Sequence, residues 1–285
     1  MAGRAMIWGI AGRMGGVAAI RPARTRRAHS LLPAYCGRFA CAVALSLAGL
    51  GLSAQSSGAA TNTSPVLVAA QYDDPTDHYP HGVLGDDIEY AALVAQDDRG
   101  QTYRVQLPEA GPVFEDLAPR LWDVTGDGAP EVVAIESDPR LGARLVIFAL
   151  EGETLQEIAA TPPIGTRFRW LAPIAAADLD GDGHIEIAYV DRPHLARQLR
   201  VWRYRAGALR QVASASGLTN HRIGEDFITS GLRSCAGAEE LVLQNAGWTR
   251  VIGVRLQNGA LQRRDLGPFD PDEGLAATLA CRPSE

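Results

Sequence analysis

FEDLAPRLWDVTGDGAPEVVAIESD (Phe114–Asp138) and FRWLAPIAAADLDGDGHIEIAYVDR (Phe168–Arg192) are two copies of one unit. Each opens on an aromatic residue, passes through Leu-Ala-Pro, enters an Asp/Gly loop and leaves it through a glutamate that starts a β-rich run. The loops begin at Asp123 and Asp178, 55 residues apart. Self-similarity at such a period is the signature of a repeat architecture.

The repeat extends outward. RLVIFALEGETLQEIA from Arg144, LRVWRYRAGALRQVA from Leu199 and RVIGVRLQNGALQRRD from Arg250 each read as strand, Gly-centred turn (Gly152, Gly207, Gly259) and strand. That is a hairpin pattern. Glu240-Leu-Val-Leu243 answers to Glu131-Val-Val-Ala134 and Glu186-Ile-Ala-Tyr189, and Ile88–Leu107 repeats the hairpin once more. Roughly four units fit between residue 70 and the end. In the third, strands are expected near 171–178, 186–192, 198–205 and 208–215. No stretch sustains a helical period. Tandem four-stranded sheets bury both faces by radial stacking. The expected fold is all-β: a propeller of about four four-stranded blades, irregular in its outer units. A two-sheet sandwich is the alternative. A propeller must seal its first blade to its last, and the tail Gly274–Ala280 reads as the closing C-terminal strand.

The loop Asp178-Leu-Asp180-Gly-Asp182-Gly-His184-Ile-Glu186 suits a hard cation. Calcium takes six to eight oxygens from alternating positions of a short loop. Asp178, Asp180, Asp182 and Glu186 supply carboxylates, and His184 its carbonyl. Gly183 permits the reversal that brings them together. The earlier loop keeps the frame with Asp123, Thr125, Asp127, Ala129 (carbonyl) and Glu131. Thr125 brings no charge, so weaker binding is expected there. The outer units have lost their aspartates (232–240) or keep only Gly85–Glu89, and should hold no ion. An EF-hand needs a glutamate at position twelve, where this chain has Tyr189.

Over about residues 80–266 the pattern resembles FG-GAP or VCBS repeats of bacterial exported proteins, relatives of the integrin α propeller. The resemblance implies one or two structural calcium ions, held in loops between the first two strands of a blade.

The first 54 residues carry seven arginines and no carboxylate, then the apolar run 36–52 and Leu52-Ser-Ala54. They read as a signal peptide cleaved near Ala54, with 55–69 a flexible spacer and 70–285 the repeat domain. The charge-free core, Phe39–Leu52, is 14 residues long. That is short of the roughly 20 that span a bilayer. Arg26-Arg27 is a poor twin-arginine match, and the true start could be Met14. Export to the periplasm or beyond is expected, with no stable membrane span after cleavage.

All basic residues are arginine; beyond the leader, 20 of them face 33 acidic residues, a net −13. Such a domain repels phosphate, which argues against nucleic acid and anionic membranes as partners. Cys36 and Cys41 would leave with the leader, so Cys235 and Cys281 remain, either as a disulfide clamping the tail or as two free buried thiols.

No catalytic constellation is legible. His78 and His81 lie in a Pro-rich acidic stretch, and Asp191-Arg-Pro-His194 reads as a polar rim. Trp122, Trp170, Trp202 and Trp248 read as blade packing. Two function classes follow: a non-catalytic exported binding or scaffold module for an envelope or extracellular protein or glycan, or an exported carbohydrate-active enzyme with its site on propeller loops.

Overall fold

The computed structural model describes residues 64–281; the predicted leader, Cys36, Cys41 and most of the predicted spacer lie outside the described residues. The described chain is all-β apart from one short helix.

The strands pair into three sheets, of eight, four and five strands, and are taken along the chain in four successive units. The first holds β1 (Leu67–Thr76), β2 (Glu89–Asp97) and β3 (Thr102–Gln106). Thus the last three residues of the predicted spacer are strand. The second holds β4 (Val113–Phe114), β5 (Arg120–Trp122), β6 (Glu131–Asp138), β7 (Gly142–Glu151) and β8 (Thr154–Ala160). The third is β9 (Leu171–Ala177), β10 (Glu186–Asp191), β11 (Gln198–Arg205) and β12 (Ala208–Ser216). The fourth holds β13 (Leu218–Thr219), β14 (Gly231–Cys235), β15 (Ala238–Asn245), β16 (Arg250–Gln257) and β17 (Ala260–Pro268).

The third unit is a four-stranded antiparallel meander ordered β12-β11-β10-β9, with boundaries within a residue of those expected. Its neighbours repeat the plan with their first strand broken. Both β4 and β5 pair with β6, while Glu115–Pro119 loops out between them. In the same way β13 and β14 both pair with β15, around a longer excursion at 220–230. A bridge between Tyr90 and Phe114 joins the first two units into one sheet. The hairpin turns match their sequences. Ala206-Gly207 and Asn258-Gly259 both have positive φ, the geometry of a type I′ turn.

Sequence periodicity follows burial. Strand β6 is buried from Glu131 to Ser137 and β10 throughout, because both are covered on two faces. Their continuous apolar runs come from that position. One core joins the second, third and fourth units around Ile147, Leu171, Ile187, Leu199 and Leu241. A second lies between the first and second units around Leu93, Phe114 and Val146. Trp122, Trp170 and Trp202 pack on the larger core, as read from the sequence.

The tail corrects the expectation of a closing strand. Residues 276–279 form a short helix, α1 (Ala276–Leu279), with no strand pairing. It docks on the fourth unit: Leu275 is buried with Val242 and Val251, and Arg233 Nη1 donates to the Thr278 carbonyl at 2.9 Å. Alanine favours helix, and Leu275 and Leu279 at i and i+4 share one face. The Cys235–Cys281 disulfide forms, with Cα atoms 5.9 Å apart, and fixes the tail to this unit. No helix among the described residues is long and apolar enough to cross a membrane.

Candidate functional site

The two Asp/Gly loops share one backbone design. Asp178 Oδ1 accepts from the amides of Gly181 (2.7 Å) and Asp182 (3.0 Å), and its Oδ2 from Gly183 (2.9 Å). Asp123 accepts from Gly126, Asp127 and Gly128 at 2.7, 3.1 and 2.9 Å. In each loop both glycines have φ between 77° and 90°, conformations that L side chains rarely adopt. The requirement thus covers Gly126, Gly128 and Gly181 as well as Gly183. The closing glutamates reach back to the loop. Glu186 Oε2 accepts from Leu179 N at 2.9 Å, and Glu131 Oε2 from Val124 N at 2.7 Å and Thr125 N at 3.1 Å.

The carboxylates converge unequally. Asp178, Asp180 and Glu186 each place an oxygen within 4.8 Å of the others, the only such trio among the described residues. Asp182 turns to His184, accepting from its amide at 3.0 Å. The 123 loop forms no trio. There Thr125 Oγ1 donates to Glu131 Oε1 at 3.1 Å. The Glu186 side chain is 0 % exposed. Burial raises the pKa of both Glu186 and Glu131, opposed at Glu186 by Arg203 and at Glu131 by backbone amides.

A residue not read from the sequence sits among these carboxylates. Arg203 on β11 pairs in register with Glu186 on β10. Its Nε donates to Glu186, its Nη2 to Asp180 at 2.6 Å and its Nη1 to Asp182 at 2.7 Å. One guanidinium thus spans three carboxylates. The fourth unit goes further: Glu240, 1 % exposed, holds Arg233, Arg255 (3.2 Å) and Arg264 (3.0 Å) where the aspartates are lost. Glu131 has no such arginine among its partners. The donor set at 178–186 fits a hard cation in chemistry and preorganisation, and the guanidinium stands where positive charge is wanted. Asp178, Asp180 and Glu186, with Asp182 and the His184 carbonyl beside them, would hold the ion. Its chemistry there would be charge neutralisation and cross-linking of the loop.

At the opposite end of β9 and β10 the inter-strand connections enclose a cavity of about 320 Å³, lined by His81, Phe168, Trp170 and His194 among others. His81 Nδ1 bonds Glu115, which also accepts from Ser137 Oγ. His194 Nε2 meets His221 Nδ1 at 2.9 Å, and His221 Nε2 donates to the Glu225 carbonyl at 2.8 Å. Burial, then the neighbouring His221, brings His194 down to about 4, so it is neutral at pH 7. Burial raises Glu115 against the pull of His81, and raises Asp116 against Arg120. His78 stays apart, on Thr76 Oγ1 and the Gly111 carbonyl.

The sequence reading missed this gathering because its histidines are 27 or more residues apart, on separate connections. Strand polarity held the signal. The residue before β9 and the residues after β10 must share an end.

Strand-loop-strand units with an Asp/Gly loop define an all-β repeat protein. The signature of FG-GAP-like repeats matches residues 123–189, from the first Asp/Gly loop through the second and into β10. The chain therefore contains an FG-GAP-like repeat over these residues. No curated protein matches it.

Proposed function

We propose that this chain is an exported, non-catalytic binding or scaffold module, built as a β-propeller-type array of about four units and braced by calcium in its Asp/Gly loops. The observation that carries the reading is the convergence of Asp178, Asp180 and Glu186 on preorganised backbone, with Arg203 as an internal counter-charge. A loop that needs positive charge and places it between two strands is a brace within a unit. The Cys235–Cys281 disulfide supports an oxidising compartment. An envelope or extracellular protein or glycan is the expected partner.

The test is calorimetric titration of calcium, with melting followed in calcium and in chelator. Binding on the order of 10⁻⁴–10⁻³ M is expected, as for extracellular modules. Absence of binding, together with identical melting in both conditions, rejects calcium bracing.

The enzyme reading draws support from the acid–base groups around the cavity. A glycosidase, however, needs two carboxyls facing the bond to be cut. Glu115 is fully buried and engaged by His81 and Ser137, and Asp116 is engaged by Arg120. The binding reading therefore ranks first.

A further inference from the structure

The cavity at the end opposite the Asp/Gly loops has a chemistry of its own. In an acidic domain, every charged or titratable side chain that lines it is basic: Arg169, Arg192, His81 and His194. Nearby carboxylates are already spent. Glu115 is held by His81 and Ser137, and Asp191 by Arg192 and Arg200.

Arg169 is different. It lines the cavity half-buried, and its side chain makes one hydrogen bond among the described residues, from Nη1 to the Phe168 carbonyl at 2.6 Å. It has no carboxylate partner among the described residues. The next arginine along, Arg167, also lacks one and stacks on the Phe168 ring at 4.0 Å. Among the described residues the other buried or half-buried arginines all have a carboxylate partner, as at Arg120, Arg144, Arg203, Arg233 and Arg250. A half-buried guanidinium without a counter-charge is a site for an anion, which it can bind in charge-assisted, bidentate fashion. His81 adds a second polar group, its Nδ1 fixed on Glu115 and its Nε2 without a partner among the described residues.

The rest of the wall is apolar. Phe168 and Trp170 form one side, and Leu195 and Ile223, 66 % and 71 % exposed, stand as lips. Inorganic phosphate would use none of this surface, and a neutral sugar would leave the arginine's charge unmatched. The walls are also preformed. Phe168 N donates to Tyr79 Oη at 2.7 Å, Trp170 Nε1 to the Glu115 carbonyl at 2.7 Å, and Gly224 N to the Val83 carbonyl at 3.1 Å. Phe168 (φ 54°) and Arg192 (φ 49°) are held in the left-handed region, a strain that accumulates at ligand sites. A volume of about 320 Å³ lies at the small end of ligand pockets.

We propose that this cavity binds a small organic anion: a carboxylate or phosphate on an apolar ring or short chain, with the acid on Arg169 and the body between Phe168, Trp170 and Leu195. The inference names a ligand class within the binding-module reading and does not depend on calcium.

The test titrates the purified protein with benzoate and phenyl phosphate, following Trp170 by indole N–H chemical shift. Benzamide serves as the neutral isostere and inorganic phosphate as the bare anion. Both organic anions should bind at least about tenfold more tightly than either control. Arg169→Gln should abolish that margin and Leu195→Ser should reduce it severalfold, while Arg210→Gln, on the outer strand β12, should leave it intact. Leu195 is exposed, so its variant keeps the test valid even if Arg169→Gln folds poorly. Equal binding of benzamide, an Arg169→Gln protein with undiminished affinity, or no binding of either anion overturns the proposal. Repeating the titration in chelator separates the two readings: loss of calcium binding leaves this result standing, and loss of benzoate binding leaves the calcium brace standing.

Discussion

Arg203 and Glu186 stand directly opposite each other on β11 and β10, and the guanidinium that reaches Glu186 also spans Asp180 and Asp182. A residue outside the loop, on the neighbouring strand β11, therefore supplies part of the charge a metal would supply. A free cation entering the loop would have to compete with this tethered one for the same oxygens, and that competition would have a measurable sign.

Arg203→Ala should raise the calcium affinity of the 178–186 loop by about tenfold, roughly 1.4 kcal/mol. In chelator the variant should be less stable, by about 2 kcal/mol. This is below the 3–5 kcal/mol for breaking a fully buried pair, because Asp180 and Asp182 keep some solvent. Calcium should restore its melting temperature. Unchanged affinity in calorimetry would show that the guanidinium does not occupy the ion's place.

In the fourth unit the counter-charge is wholly internal. Arg233→Ala should cost about 1.5–3 kcal/mol, since it removes the one buried arginine of the three on Glu240 and leaves the carboxylate to the more exposed Arg255 and Arg264. Gly253→Ala tests the same packing from the other side. A Cβ there would lie 2.7 Å from Glu240 Cδ, displacing it from its arginines at a cost of about 1–3 kcal/mol. Urea unfolding of both variants should move with no dependence on calcium.

Glu89 gives a pH signature. Burial first, then Glu115, lifts its pKa to about 9. Its folded value lies above its unfolded one, so its favourable contribution is complete below about pH 4.5 and is lost as pH rises toward 9. Glu89→Gln, which mimics the protonated acid, should melt several degrees above the parent at pH 8 and close to it at pH 4.5. Parallel melting curves across that range would show that Glu89 is not the group responsible.

Reduction of Cys235–Cys281 opens a loop closed across 46 residues of sequence. The chain-entropy model puts its contribution at about 4 kcal/mol. A lower melting temperature on reduction, with faster amide exchange at Ala276–Leu279, is the expected result. Unaltered exchange there would mean that Leu275 and Arg233 hold the tail unaided.

What was legible in the sequence was what repeats locally. Asp178 to Glu186, the Ala206-Gly207 and Asn258-Gly259 turns and the third unit's four strands each carry their own periodicity or turn chemistry. The tail misled because Leu-Ala-Ala-Thr-Leu alternates well enough for a strand, and only the docking of Leu275 and the disulfide decide for helix. The breaks at Glu115–Pro119 and 220–230 are insertions whose length is visible and whose effect on pairing is not. Arg203 looked like one arginine among many, because its role needs the β10–β11 register. His81, His194 and His221 are invisible as a group until strand polarity brings their connections to one end.

One buried glutamate recurs as Glu131, Glu186 and Glu240, and its positive complement changes at each appearance. The last holds three arginines, the middle one shares a single arginine with two aspartates, and the first has only amides and a hydroxyl. What is covalent cannot be washed out, and what is dissolved can. The positive charge tied to the chain is therefore complete at Glu240, shared at Glu186 and missing at Glu131, so a change of salt in the surrounding medium should be felt first at the 123 loop and last in the C-terminal unit.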